Sequence, residues 1–301
     1  MTTEASNVLT ALSQDLSGAI AQASESLVAI NGRRRMSSSG VHWQAGIIVT
    51  AEHTLKRDEE IAVTWADGTT ANASLIGRDG STDLAVLRVE THQPIAQTAD
   101  LESLQVGNLV LAIARSPESG VNASMGVISA LGGSWRSWHG GQIDRFIRPD
   151  LTLYPGFSGG ALIDTQGRVI GINTAGPRHW TLTIPAPTVQ RVVDQLVNRG
   201  RIARGYLGLG MQPVQLPESL KSSLQLAGGG VIVVSVEANG PSDRAGVLIG
   251  DVIVSLADQP VSDIRDVHAL LDPDRVGQPL TAQIIRGGAL MQLTITLGER
   301  P

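Results

Sequence analysis

The stretch Leu153–Leu162, LYPGFSGGAL, sets one serine among three glycines, with a proline before them and an apolar run behind. It can be a glycine turn between two strands, or a turn that presents Ser158 as a nucleophile. Glycine adopts backbone angles that side chains forbid. The glycines beside Ser158 therefore let the amides of Gly156 and Ser158 face one point, the geometry that holds a developing oxyanion. The segment also satisfies the G-x-S-x-G elbow of α/β-hydrolases, which requires a helix directly after the serine and then an acid and a histidine downstream. Here ALIDTQGRVIGI follows, an apolar strand with a turn at Thr165–Gly167, and the elbow reading fails.

The composition narrows the remaining readings. The chain has 301 residues, enough for two domains, and 42% of them are hydrophobic. A net charge of −5 argues against nucleic acid as a partner, and the one basic run, Arg33–Arg35, reads as a solvated turn. The absence of cysteine excludes a disulfide framework, zinc–thiolate sites and a cysteine nucleophile. No metal-ligand spacing appears among the histidines and acids, so no metal or cofactor is expected. No apolar run is long enough to span a membrane. The first residues lack the basic n-region of a signal peptide. A chain that starts naturally at Met1 would be cytoplasmic, and one whose leader was removed would be periplasmic or exported.

Periodicity divides the chain. Leu9, Leu12, Leu16, Ile20 and Ala23 recur at spacings of three and four, which predicts an amphipathic helix over residues 1–26. Residues 27–187 read as short β-prone runs separated by Gly, Asn, Asp and Ser, a mainly β, barrel-like domain without strand–helix alternation. Residues 188–204 predict a connecting helix with Val189, Val192, Val193, Leu196 and Val197 on one face, ending near Gly200. Residues 205–301 form a second, smaller α+β unit.

A serine nucleophile needs a base and a group that orients the base. Of the six histidines (42, 53, 92, 139, 179 and 268), His53 follows the apolar GIIVTA and opens a polar turn, a strand end beside a loop. Asp83 opens DLAVLRV, either as a strand-start cap or as a half-buried acid that fixes a histidine tautomer. The order His53, Asp83, Ser158 is that of chymotrypsin-like enzymes.

IIVTAEHTL, STDLAVLRV and YPGFSGGALID resemble the three catalytic blocks of the HtrA/Deg family of trypsin-like serine proteases, and GVISAL, RFIRPD and GRVIGINTA fit its intervening strands. The resemblance implies a chymotrypsin-like double β-barrel. It implies His53 as general base, Asp83 as its orienter and Ser158 as nucleophile. Gly156, Phe157 and Ser158 would form the oxyanion hole, and Thr152, Asn173, Thr174 and Ala175 the substrate pocket. Thr152 stands where trypsins that cut after Lys or Arg carry Asp, so a small or medium apolar side chain is expected in the pocket. Two departures stand out. Phe157 occupies a position that is often Asn in the family, and TAEHTL lacks the family's usual two asparagines. GGSWRSWHGGQ, with Trp135, Trp138 and His139, is either the family's sensor loop or a surface hairpin. His179, in GPRHW, reads as a loop residue.

The second unit resembles the PDZ domain that follows the protease in this family, with Tyr206, Leu207, Gly208 and Leu209 as the loop that binds a C-terminal carboxylate. The implied partners are polypeptide substrates and C-terminal peptides, and a trimer is implied by resemblance. The expected activity is a serine endopeptidase of unfolded or damaged chains, regulated by peptide at the PDZ domain. A catalytically silent PDZ adaptor, or a chaperone-like holder of unfolded chains, is the alternative.

Overall fold

The computed structural model describes residues 2–33, 36–137, 140–175, 181–202, 205–226, 228–271 and 275–299, with side chains of the first helix from Asn7 onward. Arg34, Arg35, Trp138, His139 and His179 lie outside the described residues. The chain forms two compact units, Met1–Ile202 and Ala203–Pro301.

In the first unit, helix α1 (Thr2–Ser24) leads into six strands: β1 (Leu27–Asn31), β2 (Ser38–Gln44), β3 (Ile47–Ala51), β4 (Ile61–Thr64), β5 (Thr70–Asp79) and β6 (Leu84–Arg88). They close a barrel in the order β1-β2-β3-β6-β5-β4 around Val28, Ile30, Ile48, Ile61, Val63 and Leu87. The next strands are β7 (Leu109–Ser116), β8 (Gly120–Gly132), β9 (Trp135–Arg136), β10 (Gln142–Ile143), β11 (Phe146–Asp150), β12 (Ala161–Ile163), β13 (Val169–Ala175) and β14 (Thr181–Pro185). Six of them form a sheet in the order β11-β8-β7-β12-β13-β14, whose end strands lie against each other over a core that includes Val110, Ile128, Ile147, Leu162 and Ile170. β9 and β10 form a separate hairpin.

The helix expected over 188–204 is α2 (Ala186–Arg199), ended by Gly200 with φ of 70°. That is the left-handed cap glycine favours. Its Val189, Val192, Val193 and Leu196 are fully buried in a third apolar cluster, which draws on strands of both sheets. Each such side chain contributes about 2 kcal/mol, so α2 is an integral part of the first unit. Helix α1 meets its expectation only in part. Ala19 and Ala23 are buried and Leu16 and Ile20 half-buried, but Leu9 and Leu12 are exposed. Among the described side chains of α1, those of its C-terminal half reach the body: the backbone of Ala19 lies against Gly167, and Arg115 donates to the carbonyl of Ser24 and, on β1, to that of Leu27.

The second unit holds β15 (Gly205–Tyr206), β16 (Leu209–Val214), α3 (Glu218–Leu224), β17 (Gly230–Val236), α4 (Pro241–Arg244), β18 (Val252–Leu256), β19 (Gln259–Pro260), α5 (Ile264–Leu270), β20 (Pro279–Arg286), β21 (Ala289–Thr296) and β22 (Gly298–Glu299). Its main sheet runs β16-β17-β18-β20-β21, so β16 is an edge.

Candidate active site

The antiparallel pairing of β3 with β6 sets Ala51 opposite Leu84. The residues just beyond, His53 and Asp83, therefore meet at one end of the first barrel. Nδ1 of His53 donates to Oδ2 of Asp83 over 2.7 Å, and the His53 amide donates to Oδ1 over 2.9 Å. An ionised carboxylate only accepts hydrogen bonds, so the proton sits on Nδ1 and the free Nε2 is the basic nitrogen. Thr174 Oγ1 also donates to Oδ2 of Asp83. Burial alone would raise the Asp83 pKa, but the hydrogen bond and charge of His53, with the Thr174 hydroxyl, hold it below the ordinary carboxylate value.

Both partners stand on braced turns. Asp83 has φ of 58°, a left-handed angle that Asp tolerates better than most side chains. Its turn is tied by the buried carboxylate of Asp79, which accepts from the Ser81 amide, the Ser81 hydroxyl and the Thr82 hydroxyl. The His53 turn is gripped by Arg78, which donates to the carbonyls of Leu55 and Arg57 at 2.9 Å. In place of the family's asparagines, Ala51 is buried in the barrel and Glu52 pairs with Arg78 at 3.3 Å. His42 is excluded as a base: it is buried, with Nδ1 on the Pro94 carbonyl and Nε2 accepting from the Gly46 amide.

The Ser158 loop continues the β12–β13 ladder, with Gly159 N–H donating to the Asn173 carbonyl and Asn173 N–H to the Gly160 carbonyl. Gly159 has φ of 85°, and a Cβ there would lie 2.3 Å from Thr50 Oγ1 and 2.2 Å from the Ser39 carbonyl oxygen. Only glycine permits this contact, and it seats the loop against the end of β3, just before His53. Strand β13 thus touches both halves of the site: Asn173 holds the serine loop and Thr174 holds Asp83. No hydrogen bond joins the Ser158 hydroxyl to the His53 ring among the described residues.

Tyr154–Phe157 closes as a turn, with Phe157 N–H donating to the Tyr154 carbonyl at 3.0 Å and Gly156 at φ of 93°. A proline followed by a left-handed glycine is the pattern of a type II turn. Among the described residues, the amides of Gly156 and Ser158 have no acceptor. The Phe157 amide is spent on the turn, so of the three expected donors only Gly156 and Ser158 keep an amide without an acceptor among the described residues. The Phe157 ring is 3% exposed, sits in the second barrel's core and meets Tyr154 edge-on at 5.7 Å. The side chain unexplained by sequence is the loop's apolar anchor.

The expected substrate pocket needs correction. Asn173 is fully buried, and Thr174 is buried with its hydroxyl on Asp83. Neither offers its side chain to a substrate, whereas Thr152 and Ala175 are exposed. A cavity of about 570 Å³ flanks Gly156, bounded by Met36, Thr64, Pro117 and Pro155, and none of the four expected pocket residues lines it. Trp135 is half-buried against Phe146, with ring centres 5.5 Å apart, so it does not lie on the surface. The β9–β10 hairpin reaches the Asp83 turn: Ser137 Oγ donates to the Ser81 carbonyl, and a Cβ at Gly141 would sit 2.5 Å from that oxygen.

The chain matches the trypsin-like peptidase domain over residues 38–172 and the PDZ domain over residues 205–297. The HtrA-type protease AlgW with a tripeptide is 31% identical, with a TM-score of 0.74, and the match covers 95% of this chain and 97% of that one. This chain belongs to the HtrA family of trypsin-like serine proteases. A serine endoprotease from Yersinia pestis matches with a TM-score of 0.75 at 28% identity, covering 95% and 98% of the two chains. Among curated relatives, a probable periplasmic serine endoprotease DegP-like of Bartonella henselae is 34% identical over 85% of this chain. Protease Do-like 1, chloroplastic, of Arabidopsis thaliana is 34% identical over 88% of this chain. The chain spans 52% and 64% of the length of these two HtrA-family relatives. Among the described residues no helix is long and apolar enough to cross a membrane.

In the PDZ domain, Leu207 is buried in the core, and the amides of Leu207 and Gly208 have no acceptor among the described residues. Gly208 has φ of 73°, and the Tyr206 hydroxyl donates to Glu237. Leu209 starts the edge strand β16. The loop and the edge are therefore adjacent.

Proposed function

We propose that this chain is a serine endopeptidase of unfolded polypeptides, with Ser158 as nucleophile, His53 as general base and Asp83 as orienter. The observation that carries the reading is the closed His53–Asp83 pair, with Nδ1 protonated and Nε2 free, beside a serine loop whose Gly156 and Ser158 amides lack acceptors. Ser158 attacks the peptide carbonyl and its proton passes to Nε2 of His53. The imidazolium is stabilised by Asp83, whose depressed pKa keeps it ionised through the reaction. The carbonyl oxygen becomes an oxyanion at the two free amides. His53 then gives its proton to the leaving amine, and water attacks the acyl-enzyme with His53 again as base. The cavity beside Gly156 is large enough for a substrate side chain.

A peptide C-terminus binds the second unit, its carboxylate on the Leu207 and Gly208 amides and its backbone added to the β16 edge. Regulation of the protease by that peptide, and a trimer with the exposed Val8, Leu9 and Leu12 of α1 at a subunit contact, belong to the same reading. So does the compartment, which cell fractionation decides between cytoplasm and an exported location. The test of the activity is cleavage of labelled casein by the protein and by Ser158→Ala. Cleavage abolished in the variant is the expected result. Equal cleavage, or none by either protein, favours the adaptor or holder.

A further inference from the structure

We propose that Ser39 is a positioning residue for the oxyanion hole: it pins the Gly156–Phe157 and Ser158–Gly159 peptide planes, which adjoin the planes that carry the two free amides, and thereby fixes where those amides point. The inference rests on the endopeptidase reading and names what keeps that site ordered.

Ser39 lies on β2, is fully buried, and takes no part in the chemistry described above. Its carbonyl accepts from Thr50 Oγ1 at 2.7 Å, and its own amide donates to the Ser158 carbonyl at 3.3 Å. Its hydroxyl accepts from the Arg115 amide at 2.9 Å and donates to the Gly156 carbonyl at 2.8 Å. The Arg115 carbonyl, at 3.4 Å, is the only competing acceptor among the described residues. A serine hydroxyl has one proton, and the Gly156 oxygen is much the nearer.

A peptide plane between a left-handed glycine and its neighbour turns easily unless both edges are held. Here Ser39 holds the Gly156 oxygen at one edge and the Tyr154 carbonyl holds the Phe157 N–H at the other. The pinned plane joins the Pro155–Gly156 plane, which carries one free amide, to the Phe157–Ser158 plane, which carries the other. Without the Ser39 hydroxyl, the Gly156 oxygen and the buried Arg115 amide each lose their partner. Unpaired groups of that kind drive rearrangement. The hydrogen bonds from the hole to the substrate oxygen are strongest in the transition state, so misdirecting them slows turnover more than it weakens substrate binding.

The test compares the full chain with Ser39→Ala, Ser39→Gly and Ser39→Thr on a fluorogenic casein-derived peptide. Losing one oxyanion donor outright costs about 100-fold or more in kcat. A misdirected donor in Ser39→Ala and Ser39→Gly is therefore expected to cost on the order of 10-fold in kcat, with KM within about 2-fold and Thr restoring most of the rate. Affinity for a peptide boronic acid, which mimics the tetrahedral intermediate, falls in step with kcat. Peptide affinity measured in the Ser158→Ala background stays unchanged. Crystals of Ser39→Ala show the Gly156 carbonyl turned. Unchanged kcat, or an equal loss of ground-state and boronate affinity, overturns the proposal. If the parent protein neither cleaves nor labels, the endopeptidase reading has failed, and the crystal structure alone decides: an unmoved Gly156 carbonyl then overturns the role of Ser39.

Discussion

Asp83 is held at both oxygens, by two donors from His53 and one from Thr174. An amide in its place would present an N–H where an acceptor is required, and the imidazole would turn to the wrong tautomer. Asp83→Asn is expected to lower kcat roughly 10³–10⁴-fold with little change in stability, because the exchange keeps the geometry and fixes the wrong histidine tautomer. Steady-state kinetics with a thermal melt on each protein separate the two effects. Phe157 makes the opposite kind of contribution. Removing its buried ring leaves a cavity in the second barrel, so Phe157→Ala is expected to cost about 3–5 kcal/mol and to loosen the turn that carries Gly156. Denaturant unfolding reads the first effect and the fluorophosphonate labelling rate the second. Phe157→Leu should recover most of both, because it refills the core.

At the scale of elements, three segments meet at the site, and each is tied to another. The β3–β6 register places His53 beside Asp83, β13 links Asp83 to the serine loop, and the β9–β10 hairpin rests on the Asp83 turn. Gly141 is where the hairpin comes closest, and an alanine Cβ would lie 2.5–2.7 Å from Ser81 atoms, backbone among them. Gly141→Ala should therefore push the hairpin or the turn aside and displace Asp83. The expected outcome is a kcat loss of at least about 10-fold, far more than an exposed glycine change with no clash produces. Gly133→Ala is the comparison, since nothing approaches its Cβ position, and its kcat should match the parent. Equal rates in the two variants would mean that the hairpin does not bear on the triad.

At the scale of the molecule, three acid-sensitive groups act in two stages as pH falls. Burial lowers the pKa of His42 below its ordinary value despite the Pro94 and Gln93 carbonyls. The native protein thus binds fewer protons there than the unfolded chain does. His42 contributes stability above about pH 6.5 and loses it as pH falls from there through its folded value. Asp83, lowered by His53 and Thr174 against its burial, and Asp251, lowered by Arg286 against its burial, contribute stability above about pH 4 and lose it below. Melting temperatures from about pH 8 to about pH 3 should fall in two stages, and His42→Gln should remove most of the upper one.

Much of this was legible in the sequence. The order His53, Asp83, Ser158 and the glycines of the serine loop point to the site because each role demands a particular side chain. Residues that act by packing or through shared hydrogen bonds carry no such signature. Phe157 reads as an anomaly until the second barrel's core is seen around it. Asn173 and Thr174 lie on a strand expected to face substrate, yet both side chains turn inward, Thr174 onto Asp83 and Asn173 to accept from Thr183. Ser39 sits in a serine-rich run with nothing in its neighbours to mark it. The α1 stripe signals an amphipathic helix but not that Leu9 and Leu12 stay exposed while Leu16, Ala19, Ile20 and Ala23 pack.

The most direct test of the central claim is a covalent adduct with a fluorophosphonate probe, located by peptide mapping in the full chain, in His53→Ala and in Ser158→Ala. A single adduct on Ser158, formed far more slowly in His53→Ala and absent from Ser158→Ala, is the outcome expected of an activated serine. A folded parent protein that takes up no probe at Ser158, or one that labels equally fast without His53, would contradict it.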